Sequence, residues 1–411
     1  MTLTSTQPEA KYGLPLEVRF CVRCTISNQR PNSCNEFEHQ PDSVKATIRF
    51  DDEGVCDACR VAERKQYVDW REREFELRDL LDAHRSEDGF FDVIVPGSGG
   101  KDSFYTALKL KHDYGMHPLL VTWAPSLYTD IGRQNLDAWQ SIAPHVLVTP
   151  NREVNRLLVR LSIENLFHPF APFIYGQKAL APKIAEQYGV RLVMYGESEA
   201  EYGNPRAEAE KGSRERYHYA SDDVHLGGAS LSELHSRYGL THADLGLYLP
   251  PSPEALEMAE VHYLGYYLRW HSQSAFYAAS EHGFEPAPER TPGTYSKYNS
   301  LDDKLDDLHY WTTFQKFGIG RATYDTAQEI RSGDIDRAEG VALVRRYDGE
   351  YPARFEGELM LYLSAPGFEP ASRAWLLRLA KKFRSPHLFD ERCDGDGYLR
   401  HAVWHEPGSE G

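Results

Sequence analysis

The hydrophobic positions of this chain change rhythm repeatedly between residues 90 and 200. Short apolar runs stand at Phe91-Asp92-Val93-Ile94-Val95, at Pro118-Leu119-Leu120-Val121-Thr122-Trp123, at residues 145–149 and at Arg191-Leu192-Val193-Met194-Tyr195. Runs of this length, rich in β-branched residues, predict strands, the first of them buried on both faces. Between them the apolar residues are spaced among polar ones, which predicts helices from Asp102 onward and over 132–142, 152–166 and 177–188, the last stopped by Gly189. Strands alternating with helices predict an α/β fold with a doubly wound parallel sheet. Such sheets bind ligands at the carboxyl ends of their strands. Three segments then share one crevice: 97–103, 123–129 and 196–202.

On either side the pattern changes. Residues 1–15 read as a flexible arm and 19–60 as a cysteine-bearing module. One helix over 61–85, with Trp70, Leu77, Leu81 and His84 near one face, is expected to dock that module on the next domain. Residues 201–253 show no clear period, which predicts a lid or an insertion. His218, His225, His235 and His242 lie there and read as solvated loop histidines. Residues 254–282 read as helical and aromatic-rich. Further helices are expected over 302–316, 326–332, 335–347, 355–363 and 370–384. The division is a zinc-binding module with docking helix (1–85), an α/β nucleotide domain with lid (86–253) and a helical C-terminal region (254–411).

The first strand runs into Pro96-Gly97-Ser98-Gly99-Gly100-Lys101-Asp102-Ser103. Glycines at a strand-to-helix turn let backbone N–H groups converge, the helix N-terminus adds positive potential, and Ser98 and Ser103 can donate. This is an anion site. A Walker A loop needs Ser or Thr after its lysine, and Asp102 stands there. The dinucleotide fingerprint needs glycine at the same place. A plain turn needs neither the hydroxyls nor the Lys-Asp pair.

Cysteines add a second chemistry. Cys21/Cys24 and Cys56/Cys59 are two Cys-x-x-Cys pairs, and paired knuckles of this kind read as a structural tetrahedral zinc site. The 31 residues between them hold an apparent insertion at 32–49, where Cys34 and His39 are possible competing ligands. Cys34 and Cys393 otherwise read as plain thiols, and disulfides are not expected without secretion.

Composition narrows the class. The 411 residues carry 46 Lys+Arg against 62 Asp+Glu, a formal net charge of −16. Such a surface repels nucleic acid, and no Lys/Arg run offsets it. No apolar run approaches a membrane span, and the N-terminus has no secretory h-region, so a cytoplasmic protein is expected.

The Ser-Gly-Gly-Lys-Asp-Ser turn after a buried strand resembles the PP-loop of the ATP pyrophosphatases. With the cysteine pairs, Asp51-Asp52-Glu53-Gly54, Thr129-Asp130-Ile131-Gly132 and Phe317-Gly318-Ile319-Gly320-Arg321-Ala322-Thr323, most of 19–350 resembles the N-acetyl sugar amidotransferases of bacterial surface-polysaccharide biosynthesis, the WbpG/PseA-like PP-loop enzymes. The resemblance implies ATP-dependent conversion of an acetamido group into an amidine, with AMP and pyrophosphate formed. It implies ATP binding by Pro96, Gly97, Ser98, Gly99, Gly100, Lys101, Asp102, Ser103 and Gly196, with adenine on Val121, Thr122 and Trp123. Lys101, Asp102 and Glu197 take catalytic roles, Asp102 holding Mg2+. Glu199, Tyr202 and Arg321 face the substrate, a nucleotide-linked or free N-acetylated sugar. It also implies ammonia from a separate glutaminase with a cyclase-like channel partner, since no glutaminase domain fits in this chain. The insertion at 32–49 and the divergent 200–300 region depart from the family pattern. They keep open another small natural-product substrate and, against the charge balance, a tRNA-modifying enzyme.

Overall fold

The computed structural model describes residues 9–197, 211–214, 218–219, 221–391 and 397–405. At its centre lie five parallel strands: β1 (Val93–Pro96), β2 (Pro118–Trp123), β3 (His145–Val148), β4 (Leu192–Tyr195) and β5 (Glu260–Tyr263), in spatial order β3-β2-β1-β4-β5. Val93 pairs with Pro118 on one side and with Leu192 on the other. Every residue of β1 and β2 is buried, as continuous apolar runs require, whereas β3 and β5 are edge strands and only partly buried. The order reverses beside β1, so the crevice at the carboxyl ends of β1 and β4 is the topological switch point.

Helices cover both faces. On one, α5 (Arg152–Leu166) and α6 (Ala171–Tyr188) bury Leu158, Leu161, Tyr175 and Leu180 against Ile94, Val121 and Val193. On the other, α2 (Trp70–His84), α3 (Lys101–Leu108) and α4 (Asp130–Gln140) bury Leu77, Leu81, Phe104, Leu136 and Trp139 against Val93, Val95 and Leu120.

Two expectations about the borders are corrected here. The stretch 61–85 is not one helix: α1 (Asp57–Lys65) ends first, and Asp69 starts α2 by accepting from the Arg71 and Glu72 amides. Residues 254–282 are not continuously helical, because Glu260–Tyr263 alternates half-buried and buried positions and pairs with β4. The sheet domain therefore extends past the boundary placed at 253.

The described part of the expected lid is packed, not open. Residues 225–230 form a short hairpin followed by α7 (Leu231–Tyr238), started by a capping box between Ser230 and Glu233. Leu226 and Leu234 are buried in the same core as α6, and the Tyr248 hydroxyl donates to Asn155 Oδ1 at 2.9 Å. His218 and His225 are buried rather than solvated, while His235 and His242 are exposed as expected. Residues 9–15 are not a free arm: Leu14 is buried, and the Tyr12 hydroxyl donates to the Phe383 carbonyl at 2.7 Å.

Beyond the sheet, α8 (Ser272–Ser280) is followed by the C-terminal helices α9 (Lys304–Phe317), α10 (Arg321–Ser332), α11 (Arg337–Tyr347), α12 (Glu356–Leu363) and α13 (Arg373–Phe383). Leu305, Leu308, Trp311, Trp375 and Phe383 make a second core that includes Val159, Ile163 and Phe167 from around α5. The cysteine module sits on this region. Ile319 and Ala327 pack with its cysteines, Thr25 Oγ1 lies 2.8 Å from Thr326 Oγ1, and Arg337 donates to the Cys24 carbonyl. The knuckles thus dock on α10 and α11, and it is α2 that lies on the sheet.

Candidate functional site

The loop after β1 is pinned before it turns. The Gly97 amide donates to the Val121 carbonyl at 3.0 Å, and Thr122 Oγ1 donates to the Gly97 carbonyl at 2.6 Å. Gly99 sits at φ +88°, where a side chain would strain the backbone and where a Cβ would lie 2.8 Å from the Leu136 backbone of α4. Gly97 has no room either, since a Cβ there would meet the Ser103 side chain at 2.2 Å. The glycines therefore let the loop lie flat between α3 and α4, with its amides at the start of α3. Lys101 is buried, and its ammonium donates to Asp102 Oδ2 at 2.6 Å, while Asp102 Oδ1 is buried without a protein partner.

This loop forms one wall of a cavity of about 600 Å3. Ser98, Gly99, Gly100, Lys101, Asp102 and Glu197 line it from the sheet domain. Opposite them stands α9, whose residues Asp306, His309, Tyr310, Thr313 and Lys316 all face the space. These positions follow the period of one helix face and span about 15 Å. The other face, with Leu305, Leu308 and Trp311, enters the second core. Arg321 and Asp325 line the cavity from α10. The Arg321 Nε donates to Asp325 Oδ1 at 2.9 Å, and its guanidinium also reaches the Tyr310 hydroxyl. Thr294 and Asn299 donate to Asp325, at 2.6 and 3.3 Å, so the guanidinium rests on a braced carboxylate.

The segment after β2 and the start of the C-terminal helices meet at residues 301–303. Asp302 lines the cavity together with Ser98 of the loop. Thr129 donates its amide to the Asp302 carbonyl at 3.2 Å and its hydroxyl to the Leu301 carbonyl. Gly132 lies so close that a Cβ there would sit 2.5 Å from the Asp302 Cα. Asp303, buried, accepts from the amides of Ser126, Leu127 and Leu305 at 2.6, 3.2 and 2.9 Å. Burial raises all three nearby carboxyls: Asp302 upward, Asp303 to about 7 and Asp306 to about 6. Burial lowers the His309 imidazole to about 3.

Of the residues expected from sequence, Ser98, Gly99, Gly100, Lys101, Asp102, Glu197 and Arg321 share this cavity. Pro96, Gly97, Val121 and Trp123 do not line it. They enclose a gap of about 10 Å3 with α6, where the Trp123 indole fills the notch left by Gly176 and meets Tyr248 edge-on at 5.1 Å. Thr122 is buried and bonded to the loop and to His145. The side chains of Val121, Thr122 and Trp123, where adenine was expected chiefly on backbone groups, are therefore interior. Ser103 turns back to the Gly100 carbonyl at 2.9 Å, and Gly196 packs against Thr106 and Trp270 beneath the cavity. Glu199 and Tyr202 lie outside the described residues, as does Cys393. Sequence reasoning missed Asp302, Asp306, His309, Tyr310, Lys316 and Asp325. The signal was present in the polar stripe at 306, 309, 310, 313 and 316 on a helix whose other face is apolar.

The second expected centre is assembled. Cys21, Cys24, Cys56 and Cys59 are buried with their sulfurs within 4.8 Å of one another. Cys21 Sγ lies 3.9 Å from Cys59 Sγ, and Cys24 Sγ 3.8 Å from Cys56 Sγ. Tetrahedral zinc with bonds of about 2.3 Å sets sulfurs about 3.8 Å apart, so the four thiols fit that ion. The Arg23 and Cys56 amides donate to Cys21 Sγ, the knuckle arrangement that stabilises a thiolate. Cys34 and His39 do not join the cluster; both line the central cavity.

Residues 292–398 match the family model described as LPS biosynthesis protein WbpG-like, C-terminal domain. That stretch is a WbpG-like C-terminal domain. It contains Asp302, Asp306, Arg321 and Asp325, so the WbpG-like part of the chain supplies the wall facing the phosphate-type loop. The resemblance drawn from the motifs is borne out there, together with a parallel α/β sheet and a four-cysteine cluster. Among solved structures, the chain is similar to NMN synthetase from Francisella tularensis at 12% identity, over 71% of this chain and 96% of that one, with a TM-score of 0.30. It is also similar to a protein described as a predicted subunit of tRNA methyltransferase from Methanocaldococcus jannaschii, at 16% identity over 57% and 92%, TM-score 0.24. At these TM-scores neither likeness bears on function. No curated protein matches the chain.

Proposed function

We propose that this protein is an ATP-dependent amidotransferase that converts the amide of an acetamido sugar into an amidine, in the making of a bacterial surface polysaccharide. The observation that carries this reading is the shared cavity, with a glycine-rich anion loop on one side and the WbpG-like wall on the other.

The chemistry follows from leaving groups. An amide oxygen does not leave as oxide or hydroxide at useful rates. Attack of that oxygen on the α-phosphorus of ATP forms the O–P bond and releases pyrophosphate. Ammonia then adds to the amide carbon, the C–O bond breaks with AMP taking the electron pair, and one proton is lost from the new nitrogen. The amides of residues 98–101 and the Ser98 hydroxyl would bind the phosphates. Lys101 would offset charge building at the α-phosphate, and Arg321, held by Asp325, offers a second cation across the cavity. The unpartnered Asp102 Oδ1 and the Asp302 carboxylate suit a hard cation, so these two would hold Mg2+. That ion would neutralise phosphate charge. The four-thiol zinc site is structural in this reading. Ammonia is expected from a separate glutaminase with a cyclase-like partner, and the use of ATP places the reaction in the cytoplasm.

The test is pyrophosphate release from ATP, Mg2+ and ammonium, screened against UDP-linked acetamido sugars and sialic-acid-like acids, with mass analysis. A product about 1 Da lighter than its substrate, C=O having become C=NH, supports amidine synthesis. Pyrophosphate release only with another acid or amide overturns the sugar assignment.

A further inference from the structure

We propose that the loop between the two cysteine pairs is a substrate-binding element, which with α9 forms a subsite for an anionic group, carboxylate or phosphate, carried by the substrate. The proposal rests on the amidotransferase reading for the identity of the substrate, but the subsite is argued from its own residues.

The loop is not a surface decoration. Phe37 is fully buried and stacks obliquely on Tyr175 of α6 at 5.7 Å, and Glu36 is ion-paired with Lys178. The Asn32 amide donates to the Ala46 carbonyl at 2.8 Å, closing the loop at its base. So anchored, it carries Cys34, His39 and Lys45 to the cavity, at the end of the α9 stripe remote from Asp302.

Two lysines, Lys45 and Lys316, line that end of the cavity. The Lys45 amide donates to the Tyr12 carbonyl at 2.9 Å, and the Lys316 ammonium lies 4.7 Å from the Tyr12 ring. Lys316 is 4% exposed and donates to the Leu166 carbonyl at 2.8 Å, and Lys45 Nζ lies 3.9 Å from Cys34 Sγ. Among the described residues neither lysine makes an ion pair. The one carboxylate the loop brings to the cavity, Glu36, is taken by Lys178. A buried lysine is ordinarily matched by a carboxylate, because an ammonium taken out of water without a countercharge is costly. Burial and the Lys45 charge indeed lower the Lys316 ammonium well below its usual range. Burial, with the same two lysines adding to it, lowers the His39 imidazole to about 2. An anion entering this end would meet both lysines, favour the charged form of Lys316 and supply the missing countercharge, where low polarity strengthens each bond. The phosphate loop is already assigned to ATP, so the second anion is the substrate's.

The test is equilibrium binding to the full zinc-loaded chain by calorimetry with saturating ATP analogue. The three probes are N-acetylneuraminic acid for a carboxylate, UDP-N-acetylglucosamine for a pyrophosphate, and neutral N-acetylglucosamine. One anionic probe is expected to bind at least about tenfold more tightly than the neutral sugar, and which one it is names the source of the charge. Lys45→Gln, at a half-exposed position, should erase that preference while leaving the affinity for the ATP analogue unchanged. Lys316→Met, close in volume and apolar, should do the same without loss of the folded state. Equal affinity for all three probes overturns the proposal, and so does an unchanged preference in both variants. Lysine-dependent binding without any pyrophosphate release would keep the subsite and sink the amidotransferase reading. Turnover indifferent to both lysines would do the reverse.

Discussion

Replacing Gly99 by alanine puts the architecture of the loop to a direct trial. Its φ of +88° lies where an L-residue is strained, at a cost of roughly 1–2 kcal/mol. The new Cβ would also stand 2.8 Å from both the amide nitrogen and the Cα of Leu136, and 2.9 Å from the Asn135 carbonyl carbon. These are backbone atoms in the middle of α4, which cannot swing away as a side-chain tip does. Displacing a packed helix to admit one methyl costs about 1–3 kcal/mol more. The whole penalty is about 2–5 kcal/mol. It falls on the two walls of the phosphate site together, because α4 also holds Gly132 against Asp302. Urea unfolding of Gly99→Ala should lose that much stability, and the dissociation constant for ATP should rise by at least about tenfold. The companion Gly100→Ala, where a Cβ meets nothing within 4 Å, should be nearly silent in stability. If Gly99→Ala matched the wild type in both assays, the close approach of loop to α4 would be wrong.

Other consequences are as open to measurement. Lys101→Met should lower the rate of pyrophosphate release by about 10²–10³-fold with the chain still folded, checked by single-turnover kinetics. Metal analysis should find one zinc per chain, and Cys56→Ser or a strong chelator should release it and expose residues 19–60 to protease. Asp303 is raised from 3.8 to about 7 by burial, so the native state holds a proton there that the unfolded chain has lost. Its contribution to stability therefore falls as pH rises from about 4 to 7, by up to about 4 kcal/mol. Unfolding at pH 5 and pH 7 should show Asp303→Asn gaining on the wild type at the higher pH; a constant difference refutes that burial.

Much of this arrangement is legible in the chain, and the failures have physical causes. Strand β2 and helix α5 stand at 118–123 and 152–166, as their apolar patterns predict, because each is buried in the way its period announces. Edge strand β5 is four residues of Glu-Val-His-Tyr beside a short helix, too brief for a period of two to stand out. The break between α1 and α2 turns on one N-cap, Asp69, in an otherwise helical composition. The anion loop is visible because its function demands rare residues in a row. The opposite wall is not, because Asp302 stands just before α9 and Arg321 and Asp325 one turn apart on α10, all common residue types in ordinary settings. The inward packing of the Val121 and Trp123 side chains is not legible either, because it depends on Gly176 letting α6 close over this strand end.

Ser98 of the loop and Asp302, which share the cavity, are made some two hundred positions apart. During synthesis at about 5–20 residues per second, the loop therefore emerges about 10–40 s before its opposing wall. Over that interval strands β2 to β5 are added one after another, while the loop's amides and Lys101 stand without the opposing wall. A nucleotide bound to so unfinished a surface would have no partner carboxylate, guanidinium or acceptor. The two walls of the cavity thus face each other only after the ribosome has passed residue 325, with three helices still to come.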